Sequence, residues 1–195
     1  MILAGTNEKV YAINDEVLKR LEEKGHKLST FLSVDKADQD EPKAYIEWPD
    51  EVLYSHNEAG LPPHELRLTE GCPVMLVRNL NPAAGLSNGT RMIVQKMHKF
   101  LLECKLITGE KAGETVYIPK ITLTSKEFPA TIHRKQFPVK PCFSMTINKS
   151  QGQTIDFVGI DLTDPVFSHG MTYVAFSRAR AYECVKVAVK LEVGI

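Results

Sequence analysis

The sequence has few cysteines, no net charge and no long apolar run. Its four cysteines, Cys72, Cys104, Cys142 and Cys184, are scattered without a Cys-x-x-Cys pair, which argues against zinc or a disulfide framework and makes a reducing compartment the default. No signal peptide opens the chain, and no apolar run approaches the roughly 18 residues of a membrane span. A soluble protein without a membrane partner is therefore expected.

Two catalytic patterns are also missing. The six histidines show no His-Glu-x-x-His motif and no grouping with acids or cysteines, so no metal site is predicted. None of the twelve glycines precedes Lys-Ser or Lys-Thr, so the phosphate-cradling loop Gly-x-x-x-x-Gly-Lys-Ser/Thr is absent. Lys149-Ser150 looks superficially similar, but Gly152 follows this pair instead of preceding it.

The balance of charge hides an uneven distribution. The 195 residues hold 24 acidic and 24 basic side chains, yet residues 1–60 have a net charge of −6 and residues 61–195 a net charge of +6. The basic portion is compatible with a groove that tracks phosphates and equally with an ordinary solvated face. The length suits one large domain or two small ones, and 43% hydrophobic residues suffice for a core.

Two stretches carry the chemistry of the sequence. Phe143–Thr154 reads as an apolar strand that runs into a polar turn, and Tyr173–Arg180 reads as a short helix that ends in two arginines. The order of strand, polar loop, strand, helix and strand predicts a parallel sheet with both polar segments near one edge. Donors for phosphate oxygens in the turn are Thr146, Asn148, Lys149 and Ser150, and Gly152 allows backbone amides to come close.

The two arginines at the end of the second stretch suit phosphate recognition. Arg178 and Arg180 stay charged at any relevant pH, and their planar guanidinium groups match phosphate oxygens. An arginine that reaches a γ-phosphate from a neighbouring domain stabilises the charge that develops during phosphoryl transfer.

In these two stretches the chain resembles a known family. They are similar to the fifth and sixth motifs of superfamily-one DNA helicases, in particular the petite-integration-frequency type of 5′-to-3′ helicase and the helicase half of Helitron transposases. The resemblance covers most of the chain and extends to three further segments, Gly71–Leu80, Leu86–Arg91 and Pro165–Gly170.

The resemblance implies an α/β fold, with a RecA-like parallel sheet and an inserted small β-barrel. The second RecA-like motor domain would comprise residues 1–64 and 136–195, and a barrel of the Src-homology type residues 65–135. We expect the chain to resemble an excised domain, lacking the N-terminal P-loop domain that completes the enzyme. ATP and Mg²⁺ would bind in the complete enzyme, and this chain alone is expected to bind neither and to hydrolyse no ATP.

The resemblance also assigns the candidate site residues. Arg178 would be the catalytic arginine finger, and Gly152, Gln153 and Arg180 would approach or support the nucleotide. Single-stranded DNA would be the partner, contacted by Thr6, Asn7, Thr146, Asn148 and Lys149. For Thr6 and Asn7, in the turn before the first helix, simple helix capping is the alternative. Asp161 and Asp164 mimic magnesium-binding carboxylates, and we interpret them as a strand-end turn.

Hydrophobic periodicity predicts the remaining elements. A first helix has Val10, Ile13, Val17, Leu18 and Leu21 on one face and Gly25 at its end. Four β-type runs follow, separated by turns at Asn88-Gly89 and Gly109–Gly113; they are Pro73–Leu80, Arg91–Met97, Leu101–Thr108 and Thr115–Thr124. Candidate phosphate contacts in the predicted barrel are Lys96, His98, Lys99, Arg134 and Lys135.

The segment before these runs is less informative. Asp35–Glu41 is predicted to be a surface loop, and Trp48 either anchors a loop on the core or stacks on a base.

Two other readings compete with a helicase half. One is a non-catalytic module that binds DNA or a protein through a barrel on a RecA-like scaffold, and the other is the product of a decayed transposon gene. The helicase reading implies a monomer inside the cell, in the nucleus or alternatively the mitochondrion. Genome maintenance, including repair, recombination and telomeres, and transposition are both compatible with it.

Overall fold

The computed structural model describes residues 1–38, 48–58, 60–128, 130–166 and 168–190. The chain divides into two compact units, one formed by Met1–Lys24 with Cys142–Ile195 and the other by Gly25–Pro141. Among the helices of the described ranges, none is both long and apolar enough to cross a membrane.

The first unit contains a parallel sheet with helical connections. Its elements are β1 (Ile2–Ala4), α1 (Asn7–Glu23), β12 (Ser144–Thr146), a 3-10 helix (Asn148–Ser150), β13 (Val158–Leu162), α3 (Met171–Phe176), a 3-10 helix (Tyr182–Cys184) and β14 (Val185–Val189). The strands are ordered β12-β1-β13-β14, and every pairing is parallel. The predicted parallel sheet is thus confirmed.

The central strands are apolar because they lie inside this sheet. Leu3 and Ala4 are fully buried, and Met145 and Ile160 in the neighbouring strands are 1% exposed. Leu3 and Ala4 are adjacent in β1 and both buried, so this strand is covered on both faces and reads as a continuous apolar run.

Helix α1 packs with its predicted face inward, although one of its most buried residues is polar. Leu18 is 3% exposed and Asn14 is 6% exposed. The Asn14 side-chain oxygen accepts a hydrogen bond from the Ser144 backbone amide at 2.9 Å, and the Ser144 hydroxyl donates to the Val10 carbonyl at 3.0 Å. These bonds fix α1 against β12. The helix ends at Glu23 with Lys24 as its C-cap, and Gly25 follows with the positive φ of +88° that favours glycine.

The second unit is mainly antiparallel β structure. Its elements are β2 (Ser29–Leu32), β3 (Val34–Asp38), α2 (Asp50–Ser55), β4 (Glu65–Leu68), β5 (Pro73–Leu76), a 3-10 helix (Pro82–Ala84), β6 (Arg91–Met97), β7 (Leu101–Leu106), β8 (Thr115–Pro119), β9 (Ile121–Ser125), β10 (Thr131–Gln136) and β11 (Val139–Pro141). Its sheets are ordered β11-β5-β6-β7-β8, β3-β10-β9 and β2-β4.

The boundaries between the two compact units, at residues 24/25 and 141/142, differ from the predicted domain boundaries at residues 64/65 and 135/136. The structure places residues 25–64 and 136–141 with the inserted unit. The pairing explains the difference, because β2 pairs with β4, β3 with β10, and β11 with β5. The segment that was least informative in sequence therefore completes the sheets of the insertion.

A buried ion pair lies inside the second unit. The side chains of Arg134 in β10 and Asp35 in β3 are both fully buried, and Arg134 Nη2 lies 2.6 Å from the Asp35 carboxylate. Arg134 Nε also donates to Asp35, at 2.9 Å, and its remaining N–H groups reach the carbonyls of Leu53, His56 and Pro62 at 2.7, 3.1 and 3.0 Å. All five donors of this guanidinium have protein acceptors.

This pair corrects two sequence predictions. Arg134 was a candidate phosphate contact, but its side chain has no exposed surface. Asp35–Glu41 was predicted to be a surface loop, but residues 35–38 form most of β3; residues 39–41 lie outside the described residues. Trp48 packs edge-on against Phe128, with ring centroids 4.7 Å apart, and this favours its role as a loop anchor.

Arg134→Met is expected to lower the free energy of unfolding by about 3–5 kcal/mol, because it leaves the Asp35 carboxylate buried without its partner. Lys135→Met on the same strand changes an exposed side chain and is the matched control. Urea denaturation of both variants measures the difference. A loss below about 1 kcal/mol for Arg134→Met would contradict a structural role for the pair.

Candidate functional site

The parallel register brings the ends of three strands to one edge of the sheet. Ala4, the last residue of β1, is paired with Thr146 in β12 and with Asp161 in β13. The carboxyl ends of parallel strands meet at one edge, so the loops after these strands leave the sheet side by side. Here, at the carboxyl edge, lie the predicted nucleic-acid contacts Thr6, Asn7, Thr146, Asn148 and Lys149.

Thr6 and Asn7 have different roles at the start of α1. Thr6 has the extended backbone of an N-cap residue, and its hydroxyl accepts a hydrogen bond from the Lys9 amide at 3.3 Å. Asn7 is the first helical residue and is exposed. The cap is therefore Thr6, and the Asn7 side chain is accessible to solvent.

The turn after β12 presents two exposed polar side chains. Asn148 and Lys149 lie in the 3-10 helix and are exposed, and the Lys149 amide donates to the Thr146 hydroxyl at 3.4 Å. Ser150 is fully buried and donates its hydroxyl hydrogen to the Ile147 carbonyl at 2.7 Å. Ser150 was predicted as a phosphate donor, and this was wrong because its hydroxyl closes the turn.

The acidic pair at this edge has a lysine counter-ion. Lys9 Nζ lies 3.1 Å from the Asp164 carboxylate and 3.9 Å from that of Asp161. The hydrogen bond to Asp164 raises the pKa of Lys9. Asp161 also accepts from the amide and hydroxyl of Thr163, at 3.0 and 2.6 Å. These contacts agree with the interpretation of the two aspartates as a strand-end turn.

A second group of predicted residues lies beyond the amino ends of β13 and β14. Ile155 and Ala179 form a parallel bridge ahead of these strands, and the Ile155 amide donates to the Arg178 carbonyl at 2.9 Å. Both polar segments were expected near one edge, and this expectation was wrong for the arginines. A chain that joins two parallel strands must return from the carboxyl ends to the amino ends, and here the segment 147–157 makes that return.

Arg178 is partly exposed and its guanidinium is held in place. Its Nε donates to the Val174 carbonyl at 3.1 Å, Nη1 to the Gln153 carbonyl at 3.2 Å and Nη2 to the Ser177 hydroxyl at 2.9 Å. Among the described residues these bonds occupy three of its five donors. The side chain is therefore oriented by its own unit and keeps donors for a ligand.

Gln153 connects this group to the carboxyl edge. Its side-chain amide donates to the Lys149 carbonyl at 3.0 Å while its backbone carbonyl accepts from Arg178. Its side-chain oxygen is buried without a hydrogen-bond partner in the described part of the chain. Gln153 is thus hydrogen-bonded both to Arg178 and to the turn that carries Asn148 and Lys149.

Gly152 and Arg180 complete the predicted nucleotide contacts. Gly152 is exposed, has φ +79°, and would have nothing within 4 Å of an added Cβ atom. Arg180 forms an exposed ion pair with Asp156 at 3.1 Å. Such surface pairs contribute little to stability, so Arg180 can exchange its partner at small cost.

Two residues of this unit were not found from the sequence. Asn14 anchors β12, and the available signal was a polar residue within the apolar face of α1. Tyr11 is 42% exposed on α1, four residues after Asn7, and gave no signal because a tyrosine on a helix face is ordinary.

A parallel sheet with polar strand-end loops, interrupted by a small β domain, is the architecture of a RecA-like motor lobe with an insertion. Residues 51–97 match the family model described as DNA helicase Pif1, 2B domain. Over 125 residues the chain is 35% identical to the human ATP-dependent DNA helicase PIF1, a match that covers 63% of this chain and 19% of the human protein.

Solved structures show the same fold. The crystal structure of Pif1 helicase from Candida albicans has a TM-score of 0.70 and 25% identity, over 96% of this chain and 45% of that one. Bacteroides Pif1 in complex with ADP-AlF3 and ssDNA has a TM-score of 0.65 and 22% identity, over 96% of this chain and 39% of that one. The resemblance to Pif1-type superfamily-one helicases and the RecA-like fold with an inserted small domain are confirmed. The chain spans less than half of each of these proteins.

Thr6→Ala is expected to lower the free energy of unfolding by about 0.5–2 kcal/mol, because the Lys9 amide loses its cap. Thr6→Ser keeps a hydroxyl at the same position and is expected to remain close to the wild type. Thermal denaturation followed by circular dichroism measures both. Equal stability of the alanine and serine variants would show that the hydroxyl does not stabilise α1.

Proposed function

We propose that this chain is part of an ATP-dependent 5′-to-3′ DNA helicase and that its parallel-sheet unit is the second of two motor lobes. The observation that carries the proposal is the arrangement of the segment 147–157. One end presents Asn148 and Lys149 at the carboxyl edge, and the other end contacts Arg178 beyond the amino ends of the strands. Such a unit can bind DNA at one end and respond to a nucleotide at the other.

Arg178 is proposed as the arginine finger. Its guanidinium is oriented by two backbone carbonyls, and orientation before the reaction is what makes such a donor effective. Gly152, Gln153 and Arg180 lie in the same part of the chain and would approach or support the nucleotide. The P-loop that holds ATP with its Mg²⁺ would belong to another domain, since this sequence contains no such motif.

The carboxyl edge is proposed to hold the backbone of single-stranded DNA. Thr146, Asn148 and Lys149 offer hydroxyl, amide and ammonium donors, and Asn7 offers a second side-chain amide. The complex of Bacteroides Pif1 with ADP-AlF3 and ssDNA supports the presence of both ligands in a protein of this fold. In the inserted domain Lys96, His98, Lys99 and Lys135 stay candidate phosphate contacts.

The hydrogen bonds of Gln153 suggest how the two ends cooperate. Closure of a partner lobe onto ATP would engage Arg178, and the Gln153 contacts to Arg178 and Lys149 would carry this to the DNA-binding turn. Alternating grip on the strand then follows from hinge closure and opening. The protein is proposed to act as a monomer, in the nucleus or alternatively the mitochondrion. The closer relation to Helitron helicases, and the role in genome maintenance, stay predictions.

In the complete helicase, Arg178→Ala is expected to lower ATP turnover by roughly 10³–10⁵-fold, because the transition state loses a positioned cation. Single-stranded DNA binding is expected to persist. Arg20→Ala, which removes an exposed arginine paired with Glu16 in the same unit, is the matched control. Steady-state ATPase assays and DNA titrations measure both.

ATPase near the wild-type rate in Arg178→Ala would refute the finger assignment. The isolated 195-residue chain is expected to hydrolyse no ATP, with or without DNA. If a longer protein that contains this chain also lacks a P-loop, the non-catalytic binding module would replace the helicase as the better account.

A further inference from the structure

Tyr11 is an exposed aromatic residue beside the predicted DNA-binding edge. It lies in α1, and 42% of its surface is exposed. Residues four apart on a helix share one face, so Tyr11 follows Asn7 along the same side of α1. No motif in the sequence includes Tyr11, and the proposed contacts at this edge are all polar groups.

Two hydrogen bonds hold α1 against β12 around Tyr11. Val10 accepts a hydrogen bond from the Ser144 hydroxyl, and Asn14 accepts one from the Ser144 amide. Ser144 is the first residue of β12, and Thr146 is the last. The part of α1 that carries Tyr11 is therefore held against the strand that leads into Asn148 and Lys149.

The electrostatics of the Tyr11 phenol agree with this placement. Partial burial raises the pKa of the Tyr11 phenol, and the positive charge of Lys149 opposes this rise. Lys149 is itself exposed in the turn after β12. Tyr11 lies one helical turn after Asn7, and Lys149 lies in the turn that follows β12. An exposed ring and an exposed ammonium group are thus placed beside the same carboxyl edge of the sheet.

A nucleotide presents the complementary pair of groups, an aromatic base and an anionic phosphate. Bases stack on tyrosine rings without regard to sequence, and lysines bind the phosphates between them. We propose that Tyr11 is a stacking platform for one base of single-stranded DNA whose phosphate is held by Lys149. This inference rests on the proposed DNA-binding function of the same edge, and it adds the residue that contacts a base.

The test is a fluorescence-anisotropy titration of the whole chain with labelled oligo(dT) and with an abasic strand of equal length. Tyr11→Ala is expected to raise the Kd for oligo(dT) by about 5- to 100-fold, and Tyr11→Phe to keep wild-type affinity because the ring remains. On the abasic strand the wild type and Tyr11→Ala are expected to bind equally. Tyr182→Ala is the control, since Tyr182 is 89% exposed ahead of β14.

The salt dependence of the DNA affinity distinguishes the contribution of Lys149 from that of Tyr11. Lys149→Gln is expected to weaken binding to both strands and to reduce the slope of log K against log salt by about one, whereas Tyr11→Ala leaves this slope unchanged. Wild-type affinity of Tyr11→Ala for oligo(dT), or an equal loss on the abasic strand, would overturn the stacking role and leave the proposed function intact. No binding of the wild type to either strand would overturn both.

Discussion

The parallel pairing of β1 with both β12 and β13 is the constraint on which the candidate site depends. It sets Ala4 level with Thr146 and Asp161, so three loops leave one edge together. It also obliges every connection to return to the opposite edge before the next strand begins. The segment 147–157 therefore has one end among the proposed DNA contacts and the other against Arg178. The position of the two proposed binding groups at the two ends of one short segment follows from strand direction.

The inserted unit depends on a different interaction, the buried pair of Arg134 and Asp35. Five donors of one guanidinium join β3, α2 and the segment that follows it to β10. Burying two charges costs free energy that their attraction and hydrogen bonds must offset, and the geometry here leaves no donor of Arg134 unused. The pair gives β3, α2, His56 and Pro62 fixed places in a segment whose sequence carries little periodicity.

The sequence predicted the elements in which local chemistry and tertiary position agree. Arg91–Met97 is a strand with the predicted bounds, and Gly25 follows α1 where its positive φ is required. In β3 the pattern is reversed: Val34 is 61% exposed whereas the Asp35 side chain is buried, so hydrophobicity indicated a loop. The run Thr115–Thr124, predicted as one strand, contains the end-to-end strands β8 and β9. They are separate because β8 ends at Pro119, and the backbone amide of Lys120 donates to the Phe100 carbonyl. The residues of the candidate site were predicted from the sequence. Their separation into a group at the carboxyl edge and a group around Arg178 follows only from the strand pairing, which the sequence does not show.

Hydrogen exchange of the complete helicase, measured by mass spectrometry, tests most directly the claim that one sheet carries two separate binding groups. Single-stranded DNA alone should protect amides of residues 5–9 and 146–149, because these lie at the carboxyl edge. A non-hydrolysable ATP analogue alone should protect amides of residues 152–155 and 177–180. Protection of both groups by DNA alone to the same extent, or of neither group by its proposed ligand, would contradict this account.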